Sequence, residues 1–132
     1  MKKFTLSSSF HIGHEDIDAD HLELVDIVNA LIDRFKALDL EGCNNKWQHF
    51  CERLEQHFDE EEQIMTGLDY SDPHHITYHQ EIVEQTRRMG KGCKTLDDWS
   101  DFILEMMNTL IVMILSHDLK FAAHLRLIKY VD

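Results

Sequence analysis

The stretch 57-HFDEEEQIM-65 places a histidine four residues before a glutamate, inside a run of carboxylates. A solvated acidic helix face accounts for Asp59, Glu60 and Glu62, with support of a site ligand as the alternative for Glu62. It leaves His57 unexplained. Residues four apart sit one above the other on a helix, so His57 and Glu61 share a face and can grip one site. The same spacing recurs in His75 and His79. These pairs make sense only on helices, and the flanking apolar pattern agrees.

Around the quoted stretch, Trp47, Cys51, Leu54, Phe58, Ile64 and Met65 share one side, which predicts a helix over 45–65. The segment 66-TGLDYSDP-73 ends it, with Gly67 as a C-terminal stop and Pro73 near the next start. Upstream, Ile17, Leu24, Val28, Leu31 and Phe35 predict a helix over 17–38, capped by Asp16 or Asp18 and broken by 39-DLEGCNN-45. Downstream, His75, His79, Ile82, Val83, Thr86 and Met89 form the inward face of a helix over 73–89, closed by 90-GKGCKT-95. Leu96, Trp99, Ile103, Met106, Leu110, Met113 and His117 follow a near-heptad in a helix over 96–127. Proline occurs once and glycine five times, so the chain turns rarely. Four helices of about 20 residues, each about 30 Å long, with short connections predict an all-α fold. Its expected form is an antiparallel up-down-up-down four-helix bundle. The 132 residues make one domain over 1–132, without internal repeats.

Composition narrows the function. Thirteen Lys and Arg against 25 Asp and Glu give a formal net charge of −12. That argues against nucleic acid or an anionic membrane as partner, because both need a cationic surface. Cys43, Cys51 and Cys93 are odd in number and lack CxxC spacing, as expected of reduced thiols, with Cys51 a core residue. The opening MKKFTLSSSF has no apolar run of signal-peptide length, and no stretch approaches the roughly 20 apolar residues of a membrane span. The expected location is the cytoplasm.

Of ten histidines, His21, His57, His75 and His79 fall on inward faces, as do the carboxylates Glu61 and Asp118. Burying that many titratable groups uncompensated is costly. A shared metal is the simplest compensation. Imidazole with carboxylate suits iron or manganese, and the absence of cysteine from the constellation disfavours iron–sulfur or structural zinc. The other histidines receive plainer readings. His11 and His14 are solvated or capping, His49 and His74 point away from the core, and His124 is at the surface.

These residues resemble the hemerythrin family, in particular the single-domain bacteriohemerythrins. The first helix carries 13-GHEDIDADHLELV-25, similar to the family's G-x-x-x-I-D-x-x-H. The second carries 57-HFDEEEQIM-65, similar to H-F-x-x-E-E-x-x-M; the third carries 75-HITYH-79, similar to H-x-x-x-H. The fourth carries 118-DLKFAAHL-125, similar to the aspartate-centred end of the last helix. The resemblance spans 13–127. It implies two non-haem irons joined by an oxo or hydroxo bridge, with dioxygen bound at one of them. His21 and His57 would hold the dioxygen-binding iron, His75 and His79 the other, and Glu61 and Asp118 would bridge the two. Manganese in one position is compatible with the same ligands. Asp18 would orient a ligand, and Leu24, Phe58, Leu110 and Ile114 would line the open coordination position, beside Met113.

One position departs from the family. The family pattern has a histidine five residues before the aspartate, and this chain has Met113 there, in 113-MILSHD-118. A thioether is a poor ligand for iron among carboxylates, so Met113 reads as packing. His117, one turn on, is a further candidate ligand. Without that histidine, bound oxygen should decay faster to the oxidised state. The readings are therefore a dioxygen carrier or sensor, a diiron peroxidase or nitric-oxide-reacting enzyme, and an iron-handling or repair protein. The ligand would be dioxygen, another small diatomic or a peroxide. A bundle that has lost its metal is the remaining alternative, and it would bury six family ligands empty.

Overall fold

A computed structural model of the chain describes residues 3–5, 11–113 and 118–128, and among them every regular element is helical. The elements are α1 (Glu15–Lys36), α2 (Leu40–Gly67), α3 (Pro73–Lys91), α4 (Leu96–Met113) and α5 (Leu119–Leu127). The stretch expected as one helix over 96–127 is described as α4 and α5. Between them, residues 114–117 lie outside the described set, and with them Ile114, His117 and the side chain of Met113. Helix α1 packs on α2 and on α4, and α3 packs on the same two, so the four long helices close a ring of contacts.

The helix starts are set by caps. Neither Asp16 nor Asp18 caps α1; His14 occupies that position without a side-chain cap bond. Asp18 instead reaches backwards. Its Oδ1 accepts from the Ile12 N–H at 2.8 Å and its Oδ2 from the Gly13 N–H at 3.2 Å. Gly13 sits at φ 92°, a left-handed conformation that glycine adopts without strain. The carboxylate therefore ties the entry segment to the first turn.

Helix α2 starts five residues before its expected start, and the expected break 39–45 shrinks to a turn ending at Asp39. Asp39 is an N-cap, and its Oδ1 accepts from the Gly42 N–H at 2.8 Å. A Cβ on Gly42 would strike that carboxylate, so the Asp and Gly that suggest a loop are parts of a cap. At α3, Asp72 accepts from the N–H groups of His74 and His75 at 3.1 and 3.3 Å, with Pro73 in the first turn. This cap fixes where His75 enters the core.

Two apolar clusters fill the interior. The larger includes Leu24, Val28, Leu31, Trp47, Cys51, Leu54, Phe58, Ile82, Trp99, Ile103 and Leu110. The smaller, at one end, joins Ile12, Ile17 and Met65 to Phe121, Ala122 and Leu125 of α5. Along α1 the order is Ile17, His21, Leu24; along α2 it is Phe58, Glu61, Met65. The buried polar residues thus form a layer between the two apolar clusters. Cys43 and Cys51 are buried, Cys93 is half-buried, and all three are free. Among the described residues no helix is long and apolar enough to cross a membrane.

Helix α3 continues past its expected end, through Gly90 to Lys91. The Trp47 indole lies against Gly90, and its Nε1 donates to the Thr86 carbonyl at 3.1 Å. A Cβ on Gly90 would run into the indole ring. Alanine gains about 1 kcal/mol in helix propensity, but overpacking a filled core typically costs about 1–3 kcal/mol, and the Trp47 hydrogen bond is displaced as well. Gly90→Ala should destabilise the protein by about 2 kcal/mol net in denaturant unfolding. An unchanged midpoint would show that the indole can move aside freely.

Candidate metal centre

The six residues singled out in the sequence come together. His21 arrives from α1, His57 and Glu61 from α2, His75 and His79 from α3, and Asp118 from the residue preceding α5. All six are at most 2% exposed. The His21 Nε2 lies 2.8 Å from Asp118 Oδ2, and the His57 Nε2 lies 3.1 Å from Glu61 Oε2. The His75 Nε2 is 2.9 Å from Glu61 Oε1 and 3.1 Å from Asp118 Oδ1. The His79 Nε2 is 3.4 Å from Glu61 Oε1.

The atoms sort into two groups. His21, His57, Glu61 and Asp118 form one; Glu61, His75, His79 and Asp118 form the other, with ligand atoms in each group within 4.8 Å of one another. Glu61 and Asp118 belong to both. Among the described residues, Nε2 of His21, His57 and His79 and all four oxygens of Glu61 and Asp118 are buried without a hydrogen-bond partner. Orphaned polar atoms in a core are expensive. Each Nε2 lies 2.8–3.4 Å from a carboxylate oxygen, so either a proton on the imidazole or a cation shared by the group can compensate the buried charge. Each group could hold a metal ion, and imidazole with carboxylate donors fits a divalent transition metal.

Charge is balanced within the layer. Burial opposes protonation of His57, but Asp20 and Glu61 beside it, with Asp118 behind, push it up to about 10. Burial likewise opposes protonation of His75, and Asp118 and Glu61 push it up to about 9. Burial would raise Glu61, yet His57, His75 and His79 hold it well below the usual carboxylate range. At neutral pH the metal-free layer therefore carries protons on imidazoles that a metal would need bare. Metal uptake should release protons. Affinity should rise with pH from 6 towards 9, by about tenfold per pH unit for each proton displaced. Calorimetry in buffers of different ionisation enthalpy would detect this; a buffer-independent heat would contradict it.

A second ring of carboxylates holds the outer nitrogens. Asp20 Oδ2 lies 3.1 Å from the His57 Nδ1, and Glu62 Oε1 lies 3.2 Å from the His79 Nδ1. A carboxylate only accepts, so each Nδ1 donates and the Nε2 is left facing the centre. Asp20 is clamped by the Arg53 guanidinium, whose Nε also donates to Glu23 at 2.8 Å. Neither Asp20 nor Arg53 stood out in the sequence, and Glu62 read chiefly as surface. On a helix, consecutive residues point about 100° apart, so Asp20 beside His21 and Glu62 beside Glu61 fall off the inward face. Only the crossing of α1 on α2, and of α2 on α3, brings them to histidines 37 and 17 residues away.

Other expectations shift. Asp18 bonds Ile12 and Gly13 and not a ligand histidine. Leu24, Phe58 and Leu110 are buried in the larger apolar cluster. The Phe58 ring stacks on His79, with centroids 3.8 Å apart and planes 6° from parallel. His14 is buried and not solvated. His124 is half-buried, its Nε2 2.9 Å from the Leu68 carbonyl and its ring beside Tyr70. His11, His49 and His74 are exposed. His117, Ile114 and the Met113 side chain lie outside the described residues.

No known protein-family model matches this chain, and no curated protein is significantly similar to it.

Proposed function

We propose that this chain is a four-helix bundle of the hemerythrin type that holds two non-haem iron ions and interacts with dioxygen. The observation that carries the reading is the pair of four-residue groups sharing Glu61 and Asp118. Two shared carboxylates with two histidines on either side is the donor pattern of a bridged two-metal centre. Helices α1 to α4, joined by short turns and packed in a ring, support an antiparallel bundle.

Iron bound there would supply dioxygen binding, at the ion held by His21 and His57 if the family resemblance carries over. The chain's own residues do the rest. Glu61 and Asp118 would fix the separation of the two ions. Asp20 and Glu62 hold the Nδ1 protons of His57 and His79, which sets ring orientation and strengthens each Nε2 as a donor. The apolar clusters on either side keep the layer dry and limit proton access.

A second reading, a peroxide- or nitric-oxide-reacting diiron protein, is favoured by one feature. Each group has only two histidines among the described residues. A more open coordination sphere suits turnover or sensing better than stable carriage. Iron-handling is the third reading, and ready loss of one ion to a mild chelator would support it.

Metal content per chain, paired with absorption spectra under reducing anaerobic conditions and after air, tests the proposal. Two irons and a charge-transfer band that appears in air and vanishes on deoxygenation are expected of an oxygen binder. Two irons with irreversible bleaching would overturn carriage in favour of the second reading. Binding of one iron or none would overturn the two-iron centre.

A further inference from the structure

The two outer carboxylates differ in their surroundings. Asp20 is 13% exposed and locked by Arg53, which is itself 12% exposed. Glu62 is 29% exposed, and among the described residues no Lys or Arg pairs with it. Glu62 also lines two surface cavities. One, of about 430 Å³ between α2 and α3, is bordered by Phe58, Asp59, Glu62, His79 and Gln80. The other, of about 330 Å³, adds Asp69 and Asp72. The one cation at the rim of the first, Arg87, is bonded to Glu55 at 2.6 Å.

His79 is 2% exposed, yet it borders that first cavity. Its Nδ1 meets Glu62, and its Nε2, which has no hydrogen-bond partner, faces Glu61. The imidazole therefore spans the wall between groove and centre, with one ring nitrogen on each side. From this juxtaposition we infer that the α2–α3 groove is the port by which a divalent cation enters the group containing His75 and His79, with Glu62 passing it in. The inference rests on the metal reading of the centre.

The dimensions and chemistry agree. A divalent ion with six waters, at about 30 Å³ per water, occupies about 180 Å³ and fits the groove. A carboxylate at the mouth replaces part of that water before the ion reaches the dry layer. Glu62 has several rotatable bonds, and release of the His79 Nδ1 frees the ring to turn about a soft sp³–sp² torsion. Phe58, stacked on the ring, closes the path again when His79 returns.

Stopped-flow uptake of Co²⁺ by the metal-free full chain, with release to a chelator, tests this. Wild type should fill in two phases, one ion each. Glu62→Gln should slow uptake in the faster phase about tenfold, and should also weaken that ion's affinity, because the His79 Nδ1 loses its carboxylate. If Glu62 only orients His79, the variant will bind more weakly through faster release at an unchanged uptake rate, and the port is overturned. Gln80→Trp, which fills the groove from an exposed position, should slow uptake in the same phase. Unchanged rates in both variants would overturn the port. If wild type binds a single ion, the two-iron reading fails, while the port stands or falls on whether Glu62→Gln slows that ion's uptake. Binding of no ion overturns both.

Discussion

Glu61→Gln should cut metal content from two ions per chain to one or none, while the far-UV circular dichroism of a helical protein persists. Glu61 touches three of the four histidines in the layer, at 3.1 Å for His57, 2.9 Å for His75 and 3.4 Å for His79. It is one of two residues common to both groups. Glutamine keeps the shape but loses the charge, and puts an NH₂ donor where a lone pair must face a cation. The variant also probes the metal-free state. Removing one member of a buried ion pair typically costs about 3–5 kcal/mol. The remaining partners are imidazoles, which can shed a proton and escape most of that penalty. His57 and His75 owe their raised values in part to Glu61, so both should fall back towards the ordinary histidine range in the variant. Retention of two ions per chain would remove Glu61 from its bridging role.

What the sequence makes legible follows from how local each feature is. The pairs His57 with Glu61 and His75 with His79 are intrahelical, so their spacing alone places them on one face. The apolar stripe Leu24, Val28, Leu31 is local in the same sense, and all three residues are buried. Turn chemistry is less transparent. The segment 39-DLEGCNN-45 reads as a break because Asp, Gly and Asn favour loops, yet the same residues build a cap, and α2 gains a turn from it. Cap and loop share a composition and differ only in which N–H the Asp39 carboxylate meets.

Features that depend on helix crossing were not legible. The approach of His21 to Asp118 joins residues 97 positions apart in the chain; their inward faces suggest a shared metal, but not the contact itself. Asp20 with His57, Arg53 with Asp20 and the stacking of Phe58 on His79 have no local signal at all. One general rule of metal-ligating histidines points to them. A histidine that turns one nitrogen to a metal needs a partner for the other, and an acidic chain offers many. Asp18, expected from the motif to orient a ligand, accepts from the Ile12 and Gly13 amides, contacts the motif does not announce.

If the proposed centre forms an absorption band in air, Met113→His should slow its decay, because each group has two imidazoles among the described residues. Met113 ends α4, five residues before Asp118, the position where the hemerythrin pattern carries a histidine. In the natural chain each group offers two imidazoles and two shared carboxylates among the described residues. A third imidazole would supply a further nitrogen donor to the proposed centre. A gain of about 1.4 kcal/mol in the barrier to decay lengthens the lifetime about tenfold. The comparison should be made at equal metal loading, with Met113→Leu as the control for packing. If Met113→Leu and wild type decay alike while Met113→His decays more slowly, the missing ligand is what tilts the natural protein from carriage towards reaction or sensing. If all three decay alike, the methionine is only a core residue, and some other donor already completes the site.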